Sequence, residues 1–189
     1  MNILYVDSTV RGCSRTSVLG EYLLSKLGGT ATRHTLRDMT LPTVDEAFLS
    51  QRDKACAAGD FSADIFAPAR EFAAADVIAV AAPFWDLSFP AALKAYFEQI
   101  NVLGLTFEYT PEGVPAGLCR AKKLFYVTTA GGQIFSEEYG FGYVKALAQT
   151  FYGISECVLF KAEGLDIFGA DTAAIMSAAK KDISGYFES

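Results

Sequence analysis

One segment, residues 77–82, constrains the fold of this chain more than any other. All of its residues (Val-Ile-Ala-Val-Ala-Ala) are apolar, so both faces of a strand formed there would be apolar. That pattern is typical of a central strand in a parallel sheet with helices packed on both faces, and Pro83 ends it. We therefore predict an α/β protein with one helical layer on each side of the sheet.

Strand-like and helix-like segments alternate along the rest of the chain. Further strands are predicted at 3–6, 31–36, 123–129 and 157–160, and helices at 16–27, 45–57, 66–74, 90–103, 142–152 and 172–187. We expect Ser88 to cap the fourth helix, a short excursion strand at 105–109 and an irregular loop after it. Right-handed crossovers favour the strand order 2-1-3-4-5. No repeat or linker is evident, so we expect residues 1–189 to form a single domain.

Composition excludes several classes of protein. Sixteen Lys and Arg against 22 Asp and Glu give a net charge of −6, which argues against a nucleic-acid partner. No apolar run is long enough to cross a bilayer. The scattered cysteines and the single histidine predict no metal site, and reduced thiols favour a cytoplasmic protein; the cysteines are Cys13, Cys56, Cys119 and Cys157.

Three loops follow the carboxyl ends of predicted strands, where open parallel sheets bind ligands. The loop from Ser8 to Thr16 has hydroxyls and two arginines before a helix, a composition that suits a phosphate, but it has neither a P-loop nor a dinucleotide fingerprint. The loop from Pro83 to Ser88 contains adjacent aromatic residues. In the third, Gly131 and Gly132 allow backbone N–H groups to approach a ring.

Each of these loops also has a structural interpretation when it is taken alone. The serines could simply cap a helix, the aromatic residues could cover the core, and the glycines could serve a turn. His34 and the cysteines are expected to be structural, and Tyr96 and Phe97 to pack in the core or at a dimer interface rather than to contact a cofactor.

Taken together, the loops resemble those of FMN-dependent NADH azoreductases and NAD(P)H quinone reductases. The resemblance covers most of the chain to about residue 164, and is most specific at 82–88 (APFWDLS), 93–97 (LKAYF), 104–110 (GLTFEYT) and 130–132 (AGG). It implies a flavodoxin-like three-layer sandwich with a five-stranded parallel sheet.

The resemblance also implies the cofactor and its contacts. The FMN phosphate would be bound by Ser8, Ser14, Arg15 and Thr16; the isoalloxazine would lie beside Pro83, Phe84, Trp85, Asp86 and Leu87; and its pyrimidine edge would lie beside Thr129, Gly131 and Gly132. Tyr109 matches an aromatic residue near the active site of a homodimer. Two positions depart from the family pattern, Asp86 where asparagine is frequent and Ala130 where arginine is frequent.

The implied function is an FMN-dependent NAD(P)H oxidoreductase that reduces quinones or azo compounds, with NADH or NADPH as co-substrate. Flavin carries the redox chemistry, so no catalytic acid–base pair is expected. The alternatives are an electron carrier like flavodoxin, which exchanges electrons with protein partners, and a flavin-free regulatory module. The 105–117 excursion favours the enzyme, because it resembles a substrate-covering segment that short carriers lack.

Overall fold

Five parallel strands form the centre of the molecule in a computed structural model that describes residues 1–188. The strands are β1 (Asn2–Asp7), β2 (Thr30–Thr35), β3 (Val77–Ala81), β6 (Lys123–Thr129) and β7 (Glu156–Ala162), and their spatial order is β2-β1-β3-β6-β7. Two short strands, β4 (Phe107–Tyr109) and β5 (Pro115–Gly117), form a separate antiparallel hairpin. The predicted 2-1-3-4-5 sheet is therefore confirmed.

The central strand β3 is buried along its whole length. It pairs with β1 on one side and β6 on the other, with Val80 opposite both Val6 and Tyr126. Alternate residues enter two separate cores, so that Ile78 and Val80 pack on one face and Val77, Ala79 and Ala81 on the other. Burial on both faces accounts for the run of apolar residues from which the fold class was predicted.

In the described residues, six helices cover the two faces of the sheet: α1 (Arg15–Leu27), α2 (Glu46–Ala58), α3 (Ala67–Ala74), α4 (Ala91–Ile100), α5 (Tyr143–Leu147) and α6 (Thr172–Glu188). Short 3₁₀ turns occupy Leu36–Asp38 and Asp64–Phe66. π-Helical turns extend α5 at both ends, Glu138–Gly142 before it and Ala148–Tyr152 after it. No helix within residues 1–188 is long and apolar enough to cross a membrane.

Three local predictions were wrong. Helix α4 begins at Ala91 after Pro90 and has no side-chain cap; Ser88 Oγ instead donates to the Tyr139 carbonyl at 2.6 Å, tying two loops together. Residues 115–117, expected in an irregular loop, form β5, because a proline can stand in the edge of a two-stranded hairpin. The helix predicted to begin near residue 142 begins earlier, because the π-helical turn at Glu138–Gly142 leads directly into α5.

The hairpin lies at the amino edge of the sheet. Helix α4 connects parallel strands, so it runs from the carboxyl edge, where β3 ends, back to the amino edge, where β6 begins. The hairpin follows α4 and is fixed there: Thr106 Oγ1 donates to the Ile100 carbonyl at 2.7 Å, and the Arg120 N–H donates to the Ala73 carbonyl at 2.9 Å.

Ion pairs flank both outer strands of the sheet. On β2, Arg33 pairs with Glu21 of α1, with Nη2 2.8 Å from Oε2. On β7, Glu156 lies 2.8 Å from Lys123, and Lys161 lies 3.0 Å from Glu137. The two edges of the sheet are thus charged.

Candidate functional site

A cavity of about 230 Å³ opens at the carboxyl edge of the sheet, where the three predicted loops meet. The predicted residues that line it are Ser14, Arg15, Pro83, Phe84, Trp85, Thr129 and Gly131; Val10, Arg11, Cys13 and Asp166 complete the lining. A site at this edge was expected from the parallel topology. The participation of Asp166, from the loop after β7, was not predicted.

Polar contacts hold the loop after β1 in place. The buried Asp7 carboxylate accepts from the Thr9 N–H at 2.8 Å and from Ser17 Oγ at 3.2 Å. Arg37 Nη1 donates to the Thr9 carbonyl at 3.2 Å and lies 3.8 Å from Asp7. The start of the loop is therefore fixed before it reaches the cavity.

The amino end of α1 points at the cavity. Ser14 is its N-cap, and Ser14 Oγ accepts from the Ser17 N–H at 3.4 Å. The first N–H groups of a helix have no intrahelical partner and carry partial positive charge, so they favour an anion. The exposed Arg11 and half-buried Arg15 add two cations to the same wall. This end of the cavity suits a phosphate group.

Two of the predicted phosphate-binding hydroxyls already have protein partners. Ser8 is buried and its Oγ donates to the Ala81 carbonyl at 3.1 Å. Thr16, also buried, shares a hydrogen bond of 2.6 Å with Thr129 Oγ1. The described contacts of Ser8 and Thr16 thus fasten the loop to β3 and β6.

The loop after β3 makes a tight turn beside the cavity. The Phe84 N–H donates to the Thr129 carbonyl at 3.0 Å, and Trp85 and Ser88 exchange two backbone hydrogen bonds of 3.0 and 2.7 Å. Between them Asp86 and Leu87 have φ values of +49° and +67°. Two consecutive residues at positive φ are typical of a type I′ turn, which favours Asn-Gly. The exposed Asp86 and Leu87 lie outside the cavity lining.

The loops after β6 and β7 are bonded to each other. The Asp166 N–H donates to the Gly131 carbonyl at 2.8 Å, and the Gly164 N–H donates to the Gly132 carbonyl at 2.9 Å. A Cβ at Gly131 would clash with the Asp166 carboxylate, whereas Gly132 has open space around it. A larger residue at position 131 would therefore have to displace the Asp166 side chain.

Tyr109 lies apart from this cavity. It is half-exposed on the hairpin at the amino edge, where it borders a second cavity of about 520 Å³ with Arg52, Cys56 and Phe107 among its lining residues. Since the first cavity is at the carboxyl edge, the two lie at opposite ends of the same sheet. Tyr109 does not reach the first cavity within one chain.

The residues around the first cavity fit a flat ring with an anionic tail. The helix terminus and arginines supply positive charge, Trp85 and Phe84 supply aromatic surface, and Gly131 brings backbone close to the cavity. No group of three or more His, Cys, Asp or Glu side chains arranged to hold a metal ion occurs in the part of the chain that the structure describes.

Comparisons with known proteins identify a family and similar sequences. A family profile described as having the flavodoxin-like fold matches residues 1–187. A protein named FMN-dependent NADH:quinone oxidoreductase from Lachnoclostridium phytofermentans is 43% identical over 113 residues, which cover 59% of this chain and 56% of that protein. A protein of the same name from Caldicellulosiruptor bescii is 32% identical over 95% of this chain and 94% of its own length.

Solved structures show the same fold. An azoreductase from Bacillus anthracis superposes with a TM-score of 0.82 at 24% identity, covering 98% of each chain. An FMN-dependent NADH-azoreductase from the same species, solved in complex with FMN, superposes with a TM-score of 0.80 at 19% identity, covering 99% of this chain and 97% of that one. The match to the first sequence relative spans about half of that protein's length.

Proposed function

Because the chain belongs to the family with the flavodoxin-like fold, we propose that it is an FMN-dependent oxidoreductase that takes a hydride from NADH or NADPH and reduces a quinone or an azo compound. The observation that carries this proposal is the cavity at the carboxyl edge, cationic where α1 begins and aromatic at Trp85 and Phe84. The names of the sequence relatives support FMN and NADH.

In this proposal the bound FMN supplies the hydride and electron chemistry, and the chain binds and orients it. The phosphate would be held at the amino end of α1, with Ser14 and Arg15 as direct donors and with Ser8 and Thr16 holding the loop. The segment 83–87 would hold the ring on one side, and Thr129, Gly131 and Gly132 would border its pyrimidine edge. Trp85, which lines the cavity, would exclude water from the side of the ring that it covers.

An electron carrier is the less favoured alternative. Relatives that align with this chain are named FMN-dependent NADH:quinone oxidoreductases, a name that specifies a nicotinamide and a quinone. In a dimer, the hairpin β4–β5 would cover the substrate at the cavity of the second chain. Both observations support an enzyme.

The test is reduction and reoxidation of the reconstituted flavoprotein. Trp85 is the only tryptophan and lines the cavity, so FMN should quench its fluorescence on binding, while Trp85→Phe should bind FMN without that signal. In stopped-flow mixing, NADH or NADPH should bleach the flavin absorbance, and menadione or methyl red should restore it. A protein that binds FMN but is bleached by neither nicotinamide would be a carrier, and one that binds no flavin would be neither.

We also propose that the active enzyme is a single-domain homodimer of the cytoplasm. Tyr109 can contribute to the cavity only from a second chain, since the hairpin is at the far edge of its own sheet. Exposed apolar side chains around the hairpin, Leu103, Val114 and Leu118, offer a contact surface. Tyr96 and Phe97, also expected to supply that surface, do not, because both are buried inside the chain. The four free cysteines are consistent with a reducing compartment.

A further inference from the structure

Arg15, the first residue of α1, has a partner 151 residues further along the chain. Its Nη2 donates to Asp166 Oδ1 at 2.8 Å and to Oδ2 at 3.1 Å, and its Nη1 donates to the Leu165 carbonyl at 3.2 Å. Both Arg15 and Asp166 line the cavity. The cation that the proposed function assigns to the phosphate is therefore already paired with a carboxylate.

Backbone contacts fix the position of that carboxylate. The Asp166 N–H donates to the Gly131 carbonyl at 2.8 Å, and the Leu165 N–H donates to the Ala130 carbonyl at 3.2 Å. The carboxylate itself packs against the bare Cα of Gly131, where any side chain would displace it. Two elements, the ends of β6 and β7, thus hold Asp166 on the cavity wall.

Stability alone gives little reason for this pair. The side chains of Arg15 and Asp166 are 39% and 65% exposed, and ion pairs with such exposure contribute little to folding. An anion beside the amino end of a helix is favourable, so Asp166 supplies an internal negative charge where the proposed function places an external one.

We propose that Asp166 competes with the cofactor phosphate for Arg15 and thereby sets how strongly the protein prefers FMN to riboflavin. This inference rests on the proposed function. A guanidinium has five N–H donors in one plane, and those directed at Asp166 and Leu165 are not available to a phosphate. The carboxylate also repels a phosphate dianion held by the same cation. Asp166 is thus a specificity-determining residue that weakens the binding of phosphorylated flavin and leaves riboflavin unaffected.

The experiment measures the dissociation constants of FMN and riboflavin for the full-length protein stripped of flavin, followed by quenching of Trp85. Asp166→Asn should tighten FMN binding about two- to fivefold, the range expected for a partly exposed charge pair, and should leave riboflavin binding unchanged. Since the effect is electrostatic, it should shrink as salt is raised. Arg15→Gln should act in the opposite direction, weakening FMN binding alone.

Asp171→Asn is the matched control. Asp171 lies five positions further along the chain and caps α6, where its Oδ1 accepts from the Ala174 N–H at 2.9 Å. Asparagine caps a helix as well as aspartate, so this variant makes the same charge change without contacting the cavity. It should bind both flavins as the parent does.

Two results would overturn the inference. Weaker FMN binding by Asp166→Asn would show that Asp166 positions Arg15 rather than competing for it, and equal changes for FMN and riboflavin would show that it acts on the ring. Failure of the proposed flavin binding is a separate result, because in that case the parent protein would bind neither flavin.

Discussion

Ser14 is the residue on which the phosphate assignment now depends most. The structure directs the Thr16 hydroxyl to Thr129, whereas Ser14 lines the cavity at the helix terminus. We expect the double variant Ser14→Ala/Thr16→Ala to weaken FMN binding by roughly tenfold or more, since a hydrogen bond to a charged acceptor contributes about 1.5–3 kcal/mol.

A folding defect has to be separated from that loss. Ser14→Gly removes the hydroxyl at a stability cost of only a few tenths of a kcal/mol in general, and should show most of the effect. Ser25→Ala, on the far end of the same helix, should bind FMN normally. If Ser14→Gly is folded and binds FMN as tightly as the parent, the phosphate lies elsewhere.

Asp86 is the second residue with a measurable consequence. It lies at the tip of the turn beside the aromatic wall of the cavity, and a negative charge near the ring disfavours the electron-rich reduced flavin. We expect Asp86→Asn to raise the FMN midpoint potential by tens of millivolts, with about 30 mV equivalent to roughly 1.4 kcal/mol for two electrons. Redox titration with reference dyes measures this midpoint potential.

The control for Asp86 is Asp182→Asn, the same charge change on the exposed part of α6. An unshifted potential in a folded, FMN-loaded Asp86→Asn protein would place the carboxylate away from the flavin. Asparagine tolerates positive φ well, so this variant should retain the turn.

At the scale of elements, the turn between β3 and α4 carries the clearest strain. Leu87 has a φ of +67°, a conformation that costs an ordinary L-residue about 1–2 kcal/mol. Because the side chain is 53% exposed, little burial is lost on its removal. We expect Leu87→Gly to stabilise the fold by roughly 0.5–1 kcal/mol after the entropy of glycine is counted. Thermal unfolding should show a melting temperature about 2 °C higher.

Leu87→Ala separates strain from the loss of the side chain. It retains a Cβ and therefore the strained conformation, so its melting temperature should not rise. A stabilisation by alanine equal to that by glycine would mean that the exposed leucine, and not the backbone, is the unfavourable feature.

The sequence predicts best those elements that are most strongly buried. Strand β3 is predicted to within one residue because both of its faces are apolar, whereas β5 has a proline and a glycine and is too short for a pattern. The turn at Glu138–Gly142 is missed because Gly140 and Gly142 disfavour a helix. The first three loops of the cavity are predicted because each directly follows a recognisable strand. The role of Asp166 is not predicted, since nothing near it in sequence identifies a partner as distant as Arg15.

At the scale of the whole molecule, the separation of Tyr109 from the cavity predicts complementation between two chains. Ser14→Ala/Thr16→Ala damages the cavity, and Tyr109→Ala damages the hairpin. Each variant alone should be impaired, but a mixture that exchanges subunits contains dimers with one intact site and should regain part of the activity. Light scattering should find dimers at micromolar concentration, and a fully active monomer would contradict the proposal.

Alkaline pH should unfold the molecule through its core. Burial raises the pKa of the Cys119 thiol from 9.0 to about 12, and burial likewise raises the pKa of four tyrosines, Tyr5, Tyr96, Tyr126 and Tyr152. The folded state therefore holds protons that the unfolded chain releases. This contribution is complete below about pH 9 and is lost as the pH rises through the folded-state values.

Urea unfolding at a series of pH values measures that loss. The free energy of unfolding should fall steadily above about pH 9, and the absorbance of tyrosinate from the buried rings should appear together with unfolding. A free energy of unfolding that does not change up to pH 11 would show that these groups ionise as easily in the folded protein.

The charged outer strands affect how readily the protein aggregates in concentrated solution. An unpaired strand edge is a template on which another chain can add and begin a fibril, and charged side chains on an edge oppose that addition. The two edge strands carry such charged side chains, each in an ion pair: Arg33 on β2, and Glu156 and Lys161 on β7. Concentrated solutions should therefore resist amyloid-type aggregation, and any ordered self-association should use the ends and helical faces of the molecule while the sheet remains five strands wide.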